Sequence, residues 1–349
     1  MRLSRFLLFL PLLGCLTPID FSVPIAGGQI VVSGQVSTIA DQSTIQLGTT
    51  ADTERLPIPL SGAFITLHDD MGGSFLYAED LTKPGNYLLE NAVVVPGRTY
   101  HVEITLPNDH VYESKGEKMP EAAFLDSVYY EIVNEDFTNE EGFVSPQPFI
   151  KLYANSSLPE ADEPLFLRWR TEETFLLTPT DFPDPFGSVP PPCFVTKNAD
   201  PQNVELFDGS TLATTKITGN LIATRLMDWS FLEKHYFTVH QSSLTEEAYD
   251  YWRKIGILAS QVGSIFDTPP AEITGNITSR TDPSEKVLGY FQAVNQSYKR
   301  LLIHPNDLPF LPLAEKCTFD PNKSFNDYPS RCLDCVSQVG SSFIRPEWF

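Results

Sequence analysis

The stretch at residues 96–106 reads PGRTYHVEITL. Its Pro-Gly pair is typical of a turn, and the residues after the turn alternate strictly between apolar and polar. The apolar members are Tyr100, Val102, Ile104 and Leu106. Because successive side chains of a strand point to opposite faces of its sheet, the pattern predicts an antiparallel strand with one buried face.

Similar β-prone runs precede this stretch and are separated from one another by turn signals. The runs are residues 29–36, 43–47 and 63–68, and the turn signals are DMGG at 70–73 and PGN at 84–86. Short alternating strands between turns are typical of a sandwich. We therefore predict an N-terminal β-sandwich of the immunoglobulin or transthyretin type over residues 29–118.

The remainder is predicted to be mainly β with one clear helix. Residues 119–148 are acidic and are expected to hold one strand (127–133) followed by an exposed crossing segment. Residues 149–313 are expected to form a second β-rich domain. Its amphipathic helix is predicted at 244–259, where Ser243 and Glu246 suggest a capping box.

Composition restricts the classes of partner. The chain has 349 residues, 42% hydrophobic content and a formal net charge of -21, so it can bury a sizeable core. Its negative charge disfavours nucleic acid and anionic lipid head groups as partners. Acidity alone names no ligand, since its ordinary consequence is solubility.

The N-terminal residues predict a secretory signal. Arg2 and Arg5 precede an apolar run, which ends in Leu-Leu-Gly-Cys at residues 12–15. The run is too short to span a bilayer, and its end is similar to a bacterial lipobox. We expect a signal peptide at 1–14 and a lipid-anchored tether at 15–28 that begins with acylated Cys15. The alternative is an ordinary secretory signal that happens to contain a cysteine.

Four further cysteines are predicted to be structural, and two of them fall in a C-x-x-C pair. They are Cys193, Cys317, Cys332 and Cys335. An even number in an oxidising compartment favours two disulfides. A four-thiolate zinc site is the alternative, and the connectivity stays open. Three of the four lie in a C-terminal tail at 314–349, which we expect disulfide bonds to attach to the rest of the protein.

The sequence lacks the short motifs that are typical of catalysis or cofactor binding. The sequence contains no H-E-x-x-H, G-x-S-x-G, Walker or dinucleotide-binding motif. Its six histidines are scattered, with no pair at helical metal-ligand spacing. We therefore expect no catalytic residues, no metal and no cofactor.

An ordered set of motifs resembles a known family. The motifs are LTEEAYDYW at 244–252, GSIFDTPP at 263–270, GNI at 275–277, VLGYF at 287–291, CLDC at 332–335 and PEWF at 346–349. Together with the lipobox they resemble a Bacteroidota outer-membrane lipoprotein family, catalogued as domain of unknown function four-two-four-nine. The resemblance implies an envelope setting, often beside SusC-like TonB-dependent transporters, and implies no catalytic residues.

Two local hypotheses accompany this resemblance. Asp126-Ser127-Val128 is similar to the short acceptor motif for O-glycosylation in Bacteroidota, which makes Ser127 a candidate for modification. The aromatic residues of the shared motifs are Tyr251, Trp252, Tyr290 and Phe291. They are predicted to pack the helix onto the sheet, and the alternative is an exposed aromatic platform for a ligand.

We therefore expect a non-enzymatic outer-membrane lipoprotein that faces the cell exterior. It would be a lid, capture module or accessory subunit of a SusC-like TonB-dependent barrel, with an unknown ligand. The main alternative is a structural subunit of an outer-membrane assembly or secretion machine. A more distant alternative is a surface enzyme that degrades glycans or peptides.

Overall fold

The computed structural model describes residues 28–51, 57–139, 141–160, 164–180, 191–211, 214–261, 273–310 and 317–349. The predicted signal peptide, Cys15 and the tether as far as residue 27 lie outside these residues, as does the motif at 263–270. Within the described residues, no helix is both long enough and apolar enough to cross a bilayer.

The fold is mainly β, as the alternation predicted. The first part of the chain forms β1 (Ile30–Ser37), β2 (Thr44–Thr49), β3 (Ile58–Pro59), β4 (Phe64–Asp69), β5 (Ser74–Glu79), β6 (Asn86–Leu89), β7 (Thr99–Thr105), β8 (Val111–Ser114) and β9 (Glu117–Lys118). The predicted strand after Pro96-Gly97 is thus β7. Its side chains of Tyr100, Val102 and Ile104 are completely buried.

The second part adds longer strands and two helices. These elements are β10 (Phe124–Thr138), β11 (Val144–Ser157), β12 (Phe166–Leu177), β13 (Cys193–Asn198), β14 (Glu205–Asp208), β15 (Lys216–Leu226), β16 (His235–Leu244), α1 (Glu246–Gln261), β17 (Ile277–Ser279), β18 (Leu288–Ile303), α2 (Ser330–Leu333) and β19 (Ser341–Ser342). Short 3-10 turns, including Ala40–Gln42 and Trp229–Leu232, connect several of them.

Two sheets build the molecule. One continuous sheet has the order β17-β8-β7-β4-β5-β6-β2-β1-β18-β16-β12-β13-β19, and β10-β11-β15 form a separate sheet. The strands from β17 to β18 enclose the first apolar core, which includes Ile65 and Phe291. The second core lies between β16 and β12 on one side and the three-stranded sheet on the other, and includes Leu167 and Ile150. Each core is therefore the hydrophobic core of a β-sandwich.

Strand β18 joins the two halves. Its first residues pair in parallel with β1, from Leu288 to Val294, and its later residues pair antiparallel with β16, from Asn295 to Ile303. Strand β17 also belongs to the first half, because it pairs with β8. The predicted second domain at 149–313 therefore needs correction: its residues 277–294 complete the N-terminal sandwich, whose sequence-local strands supply only part of the sheet.

The predicted crossing segment at 119–148 is a β-hairpin instead. Strands β10 and β11 pair along their whole length, from Phe124↔Ser157 to Thr138↔Val144. A turn closes the hairpin, with the Gly142 N–H donating to the Asn139 carbonyl oxygen at 2.9 Å. The acidic residues suggested a loop, but a two-stranded ribbon leaves side chains in water, where charge is tolerated.

The predicted amphipathic helix is present, but its N-cap is Thr245 rather than Ser243. Helix α1 begins at Glu246, and Thr245 is the N-cap: its Oγ1 accepts a hydrogen bond from the Ala248 N–H at 3.1 Å. Ser243 remains in β16, where its Oγ accepts from the Ala123 N–H at 3.2 Å. The strand thus continues two residues further than the capping-box pattern indicated, because its pairing with β18 persists to Ser243.

Candidate functional site

Helix α1 is attached to the N-terminal sandwich through its own cap. Thr245 Oγ1 donates to Glu117 Oε2 at 2.8 Å while it caps the helix. Glu117 lies on the short strand β9 and is only 4% exposed. The cap residue therefore fixes where the helix starts relative to the first core.

Glu117 is the centre of a buried hydrogen-bond network. Its Oε1 accepts from the Tyr290 hydroxyl and, at 3.1 Å, from Asn276 Nδ2. Burial raises the pKa of Glu117, although the hydrogen bonds from Tyr290 and Thr245 act in the opposite direction. Sequence reasoning missed this residue, since a Gly-Glu-Lys triplet is typical of a solvated turn.

The family-like motifs at 275–277 and 287–291 meet at this network. Asn276 brackets the backbone of Phe291: its Nδ2 donates to the Phe291 carbonyl at 2.7 Å, and its Oδ1 accepts from the Phe291 N–H at 2.9 Å. A Cβ on Gly275 would collide with the carbonyl oxygen of Gly289. Gly289 itself has a φ of 97° and abuts Val32. The two glycines thus permit close backbone approach.

The four motif aromatics do not form one platform. Phe291 is completely buried in the first core, and Tyr290 is 7% exposed. Tyr251 stacks on Tyr290 with 4.7 Å between ring centroids, and the Trp252 indole N–H donates to Gln292 Oε1 at 2.7 Å. The packing interpretation holds for Tyr290 and Phe291, whereas Tyr251 and Trp252 are only partly buried.

A cavity of about 450 Å³ opens beside Glu117. Its charged lining consists of three lysines (115, 118 and 254) and three carboxylates (117, 247 and 250). Because these charges balance, the cavity by itself indicates no preference for an anionic or a cationic ligand.

A different polar surface lies on the outer face of β12, β16 and β18, between α1 and the C-terminal residues. Cross-strand pairing places its side chains in rows: Arg168 beside Ser242 and Gln296, Arg170 beside His240 and Tyr298, and Glu172 beside Thr238 and Arg300. We call Arg168, Arg170, His240, Tyr298 and Arg300 the arginine face. The intervening residues Leu167, Trp169, Phe237 and Val239 point into the second core.

The Arg168 guanidinium lies over the Trp252 ring of helix α1. Its Cζ is 3.4 Å from the centroid of the Trp252 ring, and its buried Nε has no hydrogen-bond partner among the described residues. Burial, reinforced by the positive charge of Arg170, lowers the pKa of Arg168 to about 9. The arrangement therefore holds a guanidinium where burial penalises its charge.

Glu172 links its own row to the row of Arg170 and His240. Its carboxylate contacts Arg170 Nη1 at 2.7 Å and His240 Nε2 at 3.3 Å. Burial alone would raise the pKa of Glu172, but the hydrogen bond with His240 and the charge of Arg170 bring it to about 2. His240 is 5% exposed, and within the described residues its Nδ1 has no hydrogen-bond partner.

The C-terminal residues frame the other end of the arginine face. The Arg300 guanidinium lies 4.8 Å from the Tyr298 ring and 4.2 Å from the Trp348 ring. Trp348 also contacts Tyr236 edge-on, with 5.2 Å between centroids. The closing PEWF motif thus has a local role, which is to pack on this sheet.

The cysteines form two disulfides, as predicted. Cys193 pairs with Cys335 and Cys317 pairs with Cys332. The zinc alternative is therefore wrong, since no free thiolate is left among these four. The long-range bond ties the C-terminal tail to β13. Among the described residues, no three His, Cys, Asp or Glu side chains are placed to hold a metal ion.

A buried ion network connects the two sheets around the second core. Glu173 is completely buried, with its Oε2 at 2.9 Å from Arg225 Nε and 3.2 Å from His235 Nε2. Arg225 also contacts Asp228 at 2.9 Å. Because Glu173 is on β12 and Arg225 on β15, the pair bridges the sheets.

Ser127, the candidate for O-glycosylation, lies on β10 beside a register shift. It is partly buried, and its Oγ accepts a hydrogen bond from Asn155 Nδ2 at 2.8 Å. A sugar on this oxygen would have to accommodate that hydrogen bond. Modification of Ser127 stays a prediction.

The hairpin β10–β11 extends beyond the three-stranded sheet. The pairing between β11 and β15 ends at Phe149↔Leu226, whereas β10 and β11 pair for five further steps, from Asn134↔Pro148 to Thr138↔Val144. Near the turn, Phe143 is 68% and Val144 is 63% exposed. We call residues 137–139 and 141–145 the hairpin tip.

Comparison with known proteins identifies one family. A family model described as domain of unknown function (DUF4249) matches residues 16–300. No curated protein and no solved structure matches the chain.

Proposed function

The chain belongs to the family described as domain of unknown function (DUF4249), and we propose that it is a lipid-anchored protein of the outer membrane that acts by contact with another protein. The proposed partner is a SusC-like TonB-dependent barrel, and the protein would be its lid, capture module or accessory subunit rather than an enzyme. The anchor would be Cys15, and the body would face the cell exterior.

The exposed hairpin tip is the observation that carries this proposal. A two-stranded ribbon without a third strand is marginal in water, and this ribbon also ends in exposed Phe143 and Val144. Exposed apolar patches on a soluble body mark interaction sites. A projecting apolar tip suits insertion between the loops of a larger protein.

Two prolines make the edge of β11 that faces away from β10 a poor site for strand addition near the tip. Pro148 accepts a hydrogen bond from the Met227 N–H at 2.9 Å, so its carbonyl points away from β10. Pro146, two residues earlier, faces the same edge. Proline has no N–H, and it therefore blocks the addition of another strand along this edge.

The charged residues beside the hairpin tip indicate what kind of partner surface it would fit. Asp136 and Glu141 are exposed next to the apolar tip, whereas nearby Glu135 is paired with Lys151. An apolar tip flanked by carboxylates complements an apolar pocket rimmed by lysine or arginine. The same charges disfavour insertion of the tip into an anionic membrane surface.

Gentle detergent extraction of the native membrane tests the partnership. We expect affinity-tagged wild-type protein to recover a SusC-like barrel in near-stoichiometric amount. The double variant Phe143→Ser/Val144→Ser should lower that recovery at least about tenfold, because central apolar contacts dominate interface energy. Leu81→Ser is the matched control, since Leu81 is a 91% exposed apolar residue elsewhere on the surface.

Three outcomes of this extraction would count against the proposal in different ways. Recovery of wild-type protein alone would contradict the partnership, and recovery within a larger assembly without a transporter would favour the structural-subunit alternative. Full recovery of the barrel by the double variant would leave the partnership intact but remove the hairpin tip from it. Protease added to intact cells should also reach the body if it faces outward.

Metabolic labelling tests the anchor. We expect a palmitate analogue to label the wild-type protein and not Cys15→Ala, because acylation requires the thiol. The variant should also leave the membrane fraction, since stable attachment needs two or more acyl chains. Equal labelling of the two proteins would rule out Cys15 as the acylated residue.

A further inference from the structure

We propose that the arginine face binds a small ligand through a carboxylate group of that ligand. The site would lie on the outer surface of β12, β16 and β18, between Trp252 of α1 and Trp348 near the C-terminus. This inference is independent of the barrel partnership, because it concerns a surface on the isolated chain.

The charge of the arginine face is opposite to that of the molecule. The chain carries a formal net charge of -21, yet this surface gathers three arginines and a buried histidine around one carboxylate. The ion pairs found here among the described residues go to Glu172, from Arg170 and His240. Within the same residues, Arg168 and Arg300 have no carboxylate partner.

The Arg168 guanidinium is held in a position that would suit the binding of a planar anion. Its guanidinium is fixed on the Trp252 ring, and that ring is in turn oriented by the hydrogen bond from its indole N–H to Gln292. A partly buried guanidinium with an unsatisfied Nε is unfavourable by itself. A carboxylate presents two oxygens that match the guanidinium fork, and its negative charge beside Arg168 would offset the cost of burying the guanidinium.

His240 supplies a second, independent indication. Its side chain is buried on the same face, one strand away from Arg170, and its Nδ1 has no partner among the described residues. Its Nε2 is held by Glu172 at 3.3 Å, which orients the ring. Buried polar atoms are nearly always hydrogen-bonded in folded proteins, and on this face two of them, Arg168 Nε and His240 Nδ1, are left without a partner among the described residues.

The neighbouring groups favour a singly charged, ring-bearing ligand. Glu172 stays ionised on this face, since its pKa is about 2, and it would repel a doubly charged phosphate more than a carboxylate. Tyr298 is 44% exposed and offers a ring surface for stacking. A uronic-acid sugar and a peptide with a free C-terminal carboxylate share this chemistry.

Calorimetric titration of the detergent-solubilised full chain distinguishes these two sources. The probes are galacturonate against neutral galactose, and N-acetyl-Ala-Phe against its uncharged C-terminal amide, so that each acid has one negative charge and one ring. We expect one of the two acids to bind at least tenfold more tightly than its uncharged counterpart. Binding of the sugar acid alone would identify a uronate ligand, and binding of the peptide acid alone would identify a peptide terminus.

Variants locate the site. Arg168→Gln should weaken binding of that acid by about 10–100-fold, the range for loss of a charge-assisted hydrogen-bonded pair. Arg253→Gln is the matched control, because Arg253 is exposed on the same helix as Trp252 and pairs with Asp250. If thermal unfolding shows that Arg168→Gln does not fold, Arg300→Gln takes its place in the binding measurement, because Arg300 is exposed.

The proposal would be overturned by either of two results. One is that neither acid binds more tightly than its uncharged counterpart. The other is that a folded Arg168→Gln variant, or Arg300→Gln in its place, binds the acid as the wild type does. Both results leave the detergent-extraction experiment unaffected, so failure here is distinguishable from failure of the proposed function.

Discussion

Glu173→Gln should lower the free energy of unfolding by about 3–5 kcal/mol at neutral pH, the cost of removing one partner from a buried ion pair. Glu173 is completely buried and contacts Arg225 across the second core and His235 on the neighbouring strand β16. Glutamine is nearly isosteric, so the loss would reflect charge and hydrogen bonding rather than a cavity. Urea unfolding followed by circular dichroism measures it.

The surroundings of Glu173 explain why the effect should be large. The His235 ring stacks on Phe231 with 4.0 Å between centroids and on Phe175 at 5.4 Å. Arg225 donates to both oxygens of Glu173, at 2.9 Å and 3.2 Å. Water has little access to these groups, so glutamine would leave a buried guanidinium with less compensation.

The same network predicts a pH dependence. Burial would raise the pKa of Glu173, but the hydrogen bond with His235 and the charge of Arg225 outweigh burial and lower it. A lowered pKa in the folded state means that the stabilisation is present above the unfolded-state value of about 4.3 and is lost as pH falls through the folded value. Wild-type stability should therefore fall in acid more steeply than that of Glu173→Gln.

Glu131→Gln provides the control for this comparison. Glu131 is exposed on β10, and surface substitutions of this kind usually change stability by less than about 0.5 kcal/mol. If Glu173→Gln destabilised no more than Glu131→Gln, the inter-sheet network would contribute nothing to folding. Parallel acid profiles for wild type and Glu173→Gln would contradict the pKa argument separately.

The strand pattern could be predicted because it is local. Within residues 63–68, alternation places Ile65 and Leu67 on one face and Phe64 on the other; Ile65 and Leu67 are completely buried, whereas Phe64 is 62% exposed. Alternation likewise places Trp169 and Arg168 of β12 on opposite faces. A side chain's face follows from its position in the strand, so no long-range information is needed.

The partners of those strands could not be predicted. Strand β1 pairs with β18, whose residues lie more than 250 positions later in the chain (Val31↔Leu288 is a separation of 257). Nothing within either segment indicates the other. The sequence division at 149–313 failed for this reason, since β18 belongs to both halves of the continuous sheet.

The candidate sites depended on the same long-range pairings. Glu117 resembles a solvated residue until Thr245, 128 positions away, covers it. Glu172 and Glu173 are adjacent and equally polar in sequence, but one faces the arginine face and the other the second core. Sequence indicated that Tyr251 and Trp252 pack on a core, and it could not show that Trp252 holds Arg168.

Loss of the Cys193–Cys335 disulfide should destabilise the protein more than loss of Cys317–Cys332. The two bonds close loops with sequence separations of 142 and 15. In the chain-entropy description, a disulfide stabilises by about 5 kcal/mol for the longer loop and about 3 kcal/mol for the shorter, because longer loops restrict the unfolded chain more. Alanine at both cysteines of each pair should therefore give stability losses that differ by about 2 kcal/mol.

Both bonds can be checked before the variants are compared. Intact-mass analysis after alkylation without reductant should show no modified cysteine among the four, and stoichiometric zinc with free thiols would contradict the pairing. Denaturant unfolding then ranks Cys193→Ala/Cys335→Ala against Cys317→Ala/Cys332→Ala. Since Cys193 and Cys335 also pack with Phe175 and Leu177, alanine there removes apolar contacts as well. Reduction of the wild type breaks both bonds together without removing a side chain, so it measures their combined contribution. If the two pairs of variants cost the same, or the pair with the shorter loop costs more, loop length does not set the stability.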